Sequence, residues 1–286
     1  MRKWVDAYLT ELANEDSNVR LLIADVGDFP MFSNTHPDKF LNVGVSESNC
    51  IGVAAGMSYE GLRVFIYGVS SFFLYRAYEQ FKYSLAYWNR NVTFIGVGFG
   101  WKYYNIGVGH FCPDDISLVK NLPNFSVCTP FTLNQLRNCL RSKTLFPRYL
   151  RITSNILDDS INAEYQTGTG AVTVVTYGEM AKVCNDALLA SKRTGTADIG
   201  IILLDSLDDE IISLTAERLV GKKVVVVEDH ICQGGLYSRL MERGANICEH
   251  INLPLNSDTV AMNRLDLVRD YGMDADSIIK ILDSIY

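Results

Sequence analysis

Short apolar runs alternate with amphipathic segments through the first half of the chain. The apolar runs predict buried strands at 21–26, 40–43, 63–69, 91–97, 127–130 and 148–152. The segments between them have helical spacing and predict helices at 4–14, 47–60, 74–88, 114–120 and 133–142. Strands that alternate with helices in this way form a largely parallel sheet covered on both faces.

The alternation stops near residues 153–168, where Ser, Asn, Asp and Gly gather without periodicity. It then resumes with predicted strands at 171–177, 199–204, 222–228 and 248–253, and predicted helices at 180–193, 208–219, 234–243 and 274–285. We therefore predict two three-layer α/β domains with mainly parallel sheets, residues 1–155 and 168–286, with the boundary at about 155–168.

The stretch from Val43 to Met57 is rich in small residues. Gly52 and Gly56 each cost a helix interior roughly 1 kcal/mol relative to alanine, so we expect another backbone to approach this helix closely. Glu47 stands at the start of the predicted helix, where an acid ordinarily makes a favourable contact with the helix dipole. Local sequence alone does not distinguish that role from a chemical one.

Composition narrows the function mainly by exclusion. The 286 residues carry a formal net charge of −7 and are 48% hydrophobic and 21% charged, as in a soluble globular protein. Basic residues form no patch, so nucleic acid is not an expected partner. The N-terminus lacks the apolar run of a signal peptide and no stretch is long enough to span a membrane, so we expect a cytoplasmic protein without membrane contact.

The cysteines and common motifs exclude further site types. Seven cysteines without a Cys-x-x-Cys pair or clustered histidines predict buried thiols, with no metal ligands in this chain. Dinucleotide, P-loop and Gly-x-Ser-x-Gly motifs are missing. Gly234-Gly235 could open a helix toward an anion, although a simple tight turn is the favoured interpretation.

Five motifs in order resemble the pyrimidine-binding domain of transketolases. They are F-L-N-V-G-V-S-E-S-N at 40–49, R-A-Y-E-Q at 76–80, G-V-G-H at 107–110 with D-D-I at 114–116, L-P-N-F at 122–125 and P-R-Y-L-R at 147–151. Residues 171–245 look like the transketolase C-terminal domain, with T-Y-G at 176–178, L-D-S-L at 204–207 and V-E-D-H at 227–230. The resemblance covers nearly the whole chain.

This resemblance implies a thiamine-diphosphate-dependent transferase that moves a two-carbon ketol unit between ketose and aldose substrates. In the family, the glutamate matched by Glu47 hydrogen-bonds N1′ of the aminopyrimidine, and the histidine matched by His110 faces the reacting carbon. Both are predicted catalytic residues. Phe73 is predicted to stack on the pyrimidine, with neighbouring Phe72 as a competitor and Tyr78 as a further cofactor contact. The simpler alternatives are core phenylalanines and a structural histidine.

The substrate side combines one match with two departures. Arg151 matches the arginine that binds the acceptor phosphate in sugar-phosphate transketolases, although it could equally form an ion pair. Gly98 replaces a usual histidine, and residues 104–107 replace a Gly-Glu-Asp-Gly loop that contacts substrate hydroxyls. Ile106 cannot accept a hydroxyl hydrogen bond, and we predict that it and Tyr104 line an altered substrate site.

An aromatic series accompanies these departures, namely Phe99, Trp101, Tyr103 and Tyr104. It predicts a bulkier substrate pocket than that of ordinary transketolases. We therefore expect a specialised substrate, as in unusual-sugar or secondary-metabolite synthesis.

The G-D-G…N stretch that holds the metal and diphosphate in family enzymes is missing, because Gly27-Asp28-Phe29 lacks the second glycine. The resemblance therefore implies the small subunit of a split transketolase. A partner with the N-terminal diphosphate-binding domain would hold Mg²⁺ or Ca²⁺, in an α2β2 heterotetramer with helix 47–57 at a subunit interface.

Three alternatives remain open on the sequence. The chain could be the β subunit of a 2-oxoacid dehydrogenase E1, although R-A-Y-E-Q at 76–80 favours transketolase. It could be part of an acyloin-forming enzyme that uses pyruvate, like deoxyxylulose-phosphate synthase. The altered loop also permits a non-catalytic scaffold subunit.

Overall fold

A six-stranded and a four-stranded sheet, both parallel, organise the computed structural model, which describes residues 1–144, 146–161, 172–194, 199–254 and 264–285. The strands of the first sheet are β1 (Val19–Ile23), β2 (Phe40–Asn42), β3 (Arg63–Val69), β4 (Val92–Val97), β5 (Ser126–Cys128) and β6 (Arg148–Arg151). Its helices are α1 (Arg2–Glu15), α2 (Pro30–Thr35), α3 (Glu47–Tyr59), α4 (Ser70–Arg76), α5 (Tyr78–Gln80), α6 (Asp115–Lys120) and α7 (Leu133–Arg141). The strand order is β2-β1-β3-β4-β6-β5.

The second sheet follows the same plan. Its strands are β7 (Val172–Tyr177), β8 (Ile199–Leu204), β9 (Lys223–Ile231) and β10 (Ile247–Leu253), in the order β10-β9-β7-β8. Its helices are α8 (Gly178–Thr194), α9 (Asp209–Arg218), α10 (Leu236–Met241), α11 (Arg264–Asp270) and α12 (Ala275–Ile285). The sequence did not predict α11.

Alternate residues of the central strands enter different cores, as the two-residue period of a strand requires. In β3, Ile66 packs with α3 and α4, whereas Phe65 packs on the opposite face with α1 and α7. The second sheet is covered by α9 and α10 on one face and by α8 and α12 on the other. The predicted pair of three-layer, mainly parallel α/β units is therefore confirmed.

The helix predicted at 74–88 is wrong in its start and its continuity. α4 begins directly after β3, and α5 is followed by a π-helical turn (Phe81–Leu85) and a 3₁₀ turn (Ala86–Trp88). Buried residues recur here at every fourth position. In a continuous α-helix, side chains with that spacing point in directions that differ by about 40°, so each successive one would point further away from the core. The interruptions keep the series buried, namely Phe73, Ala77, Phe81 and Leu85.

The two sheets meet through the backbone at the end of β5. Thr129 N donates to Asp205 O at 2.7 Å, and Leu207 N donates to Val127 O at 2.9 Å. The Asp208 carboxylate also accepts from Val127 N at 3.0 Å. These bonds fix the orientation of one sheet relative to the other.

The position of the domain boundary at about 155–168 stays a prediction, because residues 162–171 lie outside the described residues. None of the helices described in the structure combines the length and the apolar character that crossing a membrane requires.

Candidate active site

Glu47 lies at the first position of α3, just after a tight loop. Gly44 adopts a φ of +76°, and the Asn42 side chain accepts from the backbone nitrogens of Gly44 and Asp25 at 3.0 and 3.1 Å. Only 6% of Glu47 is exposed, and its Oε1 accepts from Nη1 of Arg76 at 3.0 Å. The helix therefore begins with a largely buried carboxylate that has one cationic partner.

Arg76 connects this carboxylate to an aromatic ring and an imidazole. Its guanidinium lies over the ring of Phe72 at 4.4 Å, and the ring centroids of Phe72 and His110 are 4.9 Å apart. Ser71 Oγ donates to Gly109 O at 3.1 Å, which ties the His110 loop to α4. The structure thus brings Glu47, Arg76, Phe72 and His110 together as one contiguous group, which we call the carboxylate–imidazole cluster.

Adjacent Phe73 has a different environment. Its ring is 1% exposed and packs so closely on β3 that a Cβ at Gly68 would lie 2.1 Å from its Cε2. Tyr78 is partly buried, and its hydroxyl donates to Leu118 O at 3.0 Å. The geometry favours Phe72 over Phe73 as the ring at the cluster, and the cofactor contacts of all three residues stay predictions.

Arg151 is completely buried and paired on both sides. Its Nε donates to Asp115 Oδ2 at 2.8 Å, and its Nη1 donates to Asp229 Oδ1 at 2.6 Å. Burial alone would lower the pKa of Arg151, but Asp115 and Asp229 outweigh it and raise the pKa well above its ordinary value. Substrate binding by Arg151 stays a prediction, and the structure gives this guanidinium two internal carboxylates.

The loop after β4 explains the departure at Gly98. Gly98 has a φ of +75°, and a Cβ there would lie 2.3 Å from Cδ2 of Tyr103, so the Tyr103 ring occupies the space of any side chain at 98. Phe99 and Trp101 are buried. The Phe99 ring packs toward Arg151 and the Trp101 ring toward Tyr271, and the bulkier substrate pocket expected from the aromatic series stays a prediction.

Tyr103 also lines a cavity of about 310 Å³ at the carboxyl ends of β3, β4 and β6. Open α/β sheets bind ligands at this edge. The wall includes Lys102, Thr153 and Ser154. Ile106 lies in the adjoining 3₁₀ turn with 58% of its surface exposed, and the side chain of Tyr104 lies outside the described set. Substrate contacts by Tyr104 and Ile106 stay predictions.

Exposed apolar residues lie next to Glu47 and His110 in the chain, and exposed glycines follow on α3. Val45 and Val108 are 72% and 79% exposed. On α3, a Cβ added at Gly52 or Gly56 would meet no described atom within 4 Å. We call the exposed residues Val45, Gly52, Gly56, Ile106 and Val108 the apolar rim.

The glycine pair at 234–235 does not present a free helix end. The Glu228 carboxylate accepts from the backbone nitrogens of Leu236 and Tyr237 at 2.7 and 3.0 Å, so α10 begins on an internal anion. Burial would raise the pKa of Glu228, but hydrogen bonding to His250 and nearby positive charge lower it below its ordinary value. A Cβ at Gly235 would lie 2.4 Å from Glu228 Oε2, which explains the glycine.

Sequence reasoning missed the partners that orient the predicted site residues. Arg76 was recognised only as part of a motif, and its pairing with Glu47 spans 29 positions. Asp115 and Asp229 were likewise given no role, although a charged group buried in a strand must be paired or hydrogen-bonded. No group of three or more metal-ligating side chains occurs within the ranges that the structure covers.

Residues 1–158 match the family model described as transketolase, pyrimidine binding domain. The chain belongs to the transketolase family. This transketolase chain is 26% identical to an apulose-4-phosphate transketolase subunit of Phocaeicola vulgatus, over 98% of the chain and 95% of the relative. It is 30% identical to the 6-deoxy-6-sulfo-D-fructose transketolase subunit SqwH of a Clostridium species, over 84% of the chain and 78% of the relative.

A solved structure gives the same result in three dimensions. It is described as a split gene transketolase, inactive β4 tetramer, and is similar to this transketolase chain with a TM-score of 0.81 at 26% identity. The match covers 98% of this chain and 95% of that chain. The predicted family, fold class and organisation as the small subunit of a split transketolase are thereby confirmed.

Proposed function

We propose that this chain forms the aminopyrimidine half of a thiamine-diphosphate-dependent active site and that a partner subunit supplies the diphosphate half. The observation that carries this proposal is the carboxylate–imidazole cluster. The reaction is the transfer of a two-carbon ketol unit from a ketose to an aldose.

The cluster suits an aminopyrimidine in charge and in shape. A carboxylate has two oxygens, so the pairing of Glu47 Oε1 with Arg76 leaves Oε2 able to share a proton with N1′ of the ring. Phe72 offers a flat, partly buried ring for stacking. Phe73 and Tyr78 would support this surface from the core. When bound, thiamine diphosphate supplies the nucleophilic carbon that takes up and releases the two-carbon unit.

His110 is proposed to handle protons beside the reacting carbon. Its imidazole lies against Phe72, with the ring centroids 4.9 Å apart. An imidazole there can donate to an oxygen on which negative charge develops and can return a proton to it.

The apolar rim is the proposed contact with the partner. Exposed aliphatic side chains beside an active site, together with a glycine-lined helix face, suit a closely packed subunit interface. We propose an α2β2 assembly in which the partner holds Mg²⁺ or Ca²⁺ with the diphosphate. The relative described as an inactive β4 tetramer supports a tetrameric arrangement for this subunit type.

We propose a specialised sugar as substrate. Two relatives are named for apulose 4-phosphate and 6-deoxy-6-sulfo-D-fructose, which are unusual sugars with a terminal anionic group. The cavity at the ends of β3, β4 and β6, with Lys102 in its wall, is the proposed place for the distal part of the sugar. The aliphatic Ile106 in the adjoining loop would disfavour a hydroxyl-rich contact there.

The test is reconstitution with the partner subunit. We expect neither subunit alone to turn over a ketose, and the mixture to do so with thiamine diphosphate and a divalent cation. Screening ketose donors and aldose acceptors would identify the substrate. Turnover by this chain alone would refute the split organisation. Lipoyl-domain acylation, or a requirement for pyruvate, would support the 2-oxoacid dehydrogenase or acyloin-forming alternative instead.

A further inference from the structure

A continuous line of buried polar groups runs from α4 to the second sheet. Ser70 Oγ and the Tyr149 hydroxyl are 2.9 Å apart, and that hydroxyl donates to Asp115 Oδ2 at 2.7 Å. Arg151 then bridges Asp115 and Asp229, with a further bond from its Nη2 to Asp229 O at 3.0 Å. We call Ser70, Tyr149, Asp115, Arg151 and Asp229 the relay.

The members of the relay lie on elements that carry different parts of the molecule. Ser70 is the first residue of α4, the helix that carries Phe72 and Arg76. Asp115 is the first residue of α6, which follows the His110 loop. Asp229 belongs to β9 in the second sheet. The relay therefore connects both sides of the carboxylate–imidazole cluster to the second α/β unit.

The chemistry of the groups determines which one donates each hydrogen bond in the relay. A carboxylate can only accept while ionised, so the Tyr149 hydroxyl directs its proton to Asp115 and must accept from Ser70. Arg151 is a donor only, so it requires both carboxylates. Loss of Tyr149, Asp115 or Arg151 leaves a buried donor or charge without its partner, which destabilises the folded arrangement.

The members of the relay are closely packed. A Cβ at Gly96 would lie 2.6 Å from Ser70 Oγ and 2.4 Å from Cε2 of Tyr149. A Cβ at Gly100 would lie 2.9 Å from Asp229 O, and the Arg151 guanidinium stacks on Phe99 at 3.8 Å. Glycines at these positions allow the relay groups to approach each other, and the Phe99 ring covers one face of the guanidinium.

We propose that Tyr149 and Asp229 are positioning residues, which act through the relay to hold α4 so that Phe72 and Arg76 face Glu47. This inference rests on the proposed function, because that proposal assigns the cofactor contacts to α4. The second α/β unit thereby contributes to the arrangement of the active site through Asp229.

The first experiment measures hydrogen exchange of the α4 amides in the chain alone, where neither cofactor nor partner is needed. Tyr149→Phe removes only the bridging hydroxyl, and we expect exchange in α4 to become about tenfold faster, the effect of losing one buried hydrogen bond. Asp229→Asn keeps an acceptor for Arg151 but removes the charge, and a smaller increase is expected. Tyr177→Phe is the matched control, since the Tyr177 hydroxyl is equally buried and donates to Glu228, outside the relay.

Unchanged exchange in α4 in both relay variants would overturn the inference, even if their melting temperatures fell with that of Tyr177→Phe. The second experiment measures the thiamine diphosphate dissociation constant of the reconstituted complex by calorimetry. A weaker constant in Tyr149→Phe and Asp229→Asn, with Tyr177→Phe unchanged, is the result expected from the inference and the proposed function together. Faster α4 exchange with an unchanged constant would support the relay and refute the assignment of α4 side chains to the cofactor.

Discussion

The guanidinium of Arg76 pairs with the carboxylate of Glu47 at 3.0 Å. The Arg76 side chain is 54% exposed, whereas the Glu47 side chain is only 7% exposed. This pair joins the start of α3 to the end of α4. The Glu47 carboxylate is therefore largely kept out of water, while its cationic partner lies at the surface. The pair marks the place where we propose that the aminopyrimidine ring binds.

Replacing Glu47 by glutamine tests its chemical role. The amide keeps the shape of the side chain but cannot hold the proton that a carboxylate shares with a ring nitrogen, so we expect the reconstituted complex to lose at least about 100-fold in turnover. Steady-state kinetics with the identified sugars would measure this. Glu15→Gln is a suitable control, because Glu15 is an exposed acid paired with Arg141 on the outer surface. Unchanged turnover in Glu47→Gln would support a scaffold subunit.

Substitutions of Phe72 and Phe73 should have separate effects, one on cofactor binding and the other on folding stability. We expect Phe72→Ala to weaken thiamine diphosphate binding by about tenfold, since stacking area is lost, while the melting temperature changes little because the ring is only partly buried. Phe73→Ala should instead destabilise the chain by about 3–5 kcal/mol, the usual cost of removing a buried phenylalanine. Calorimetric titration and denaturant unfolding measure the two effects. If Phe73→Ala weakened binding and Phe72→Ala lowered stability instead, Phe73 would be the stacking ring.

Asp229 should give the chain a particular pH dependence. Burial raises its pKa to about 6 from the ordinary 3.8, more than Arg151 lowers it. The folded chain therefore binds this proton more tightly than the unfolded chain, and the stability contributed by the group falls as pH rises from about 4 to 6. Asp229→Asn does not titrate. We expect the melting temperature of the wild type minus that of the variant to be largest near pH 4 and to fall by a few degrees toward pH 6.5.

A melting-temperature difference that stays flat over this range, or rises with pH, would contradict the assignment. Measuring the same difference for Asp186→Asn controls for general charge effects, because Asp186 forms an exposed pair with Lys182.

The face of α3 that carries Gly52 should accept a larger side chain in the free chain but not in the complex with the partner. Gly52→Ala is expected to stabilise the free chain by roughly 0.5–1 kcal/mol through helix propensity, since no described atom would contact the new Cβ. Gly52→Leu should also fold, but we expect it to weaken association with the partner by at least about tenfold because the backbones can no longer approach. Thermal unfolding and analytical ultracentrifugation measure the two effects. Normal assembly of Gly52→Leu would show that this face lies outside the interface.

The sequence predicted the layers well because strand and helix periods express local burial. β3 and β4 are buried at every position, and their apolar runs indicated it directly. The order of motifs along the chain also singled out Glu47, whose catalytic role stays a prediction. Periodicity could not indicate how the chain divides between α4, α5 and the π-helical turn, because repeated spacing of four fits either a helix or its interruption.

The pairings that orient the site were beyond sequence reasoning for a different reason. Arg151 and Asp229 are separated by 78 positions and belong to different sheets, so no local pattern links them. Phe72 and Phe73 are chemically identical neighbours. Only their packing distinguishes them, because the Phe73 ring lies against Gly68 and the Phe72 ring lies against Arg76 and His110. Buried polar contacts depend on the final arrangement of whole elements, which local propensity does not encode.

The apolar rim has a consequence for how the enzyme is produced. A chain synthesised before its partner carries uncovered Val45, Ile106 and Val108 next to a smooth helix face, and such surfaces associate with whatever complementary surface is available. When this chain is made in excess over its partner, another copy of the same chain can provide that surface. We therefore expect the ratio in which the two polypeptides are made, as much as the amount of either, to determine how much working enzyme a cell contains.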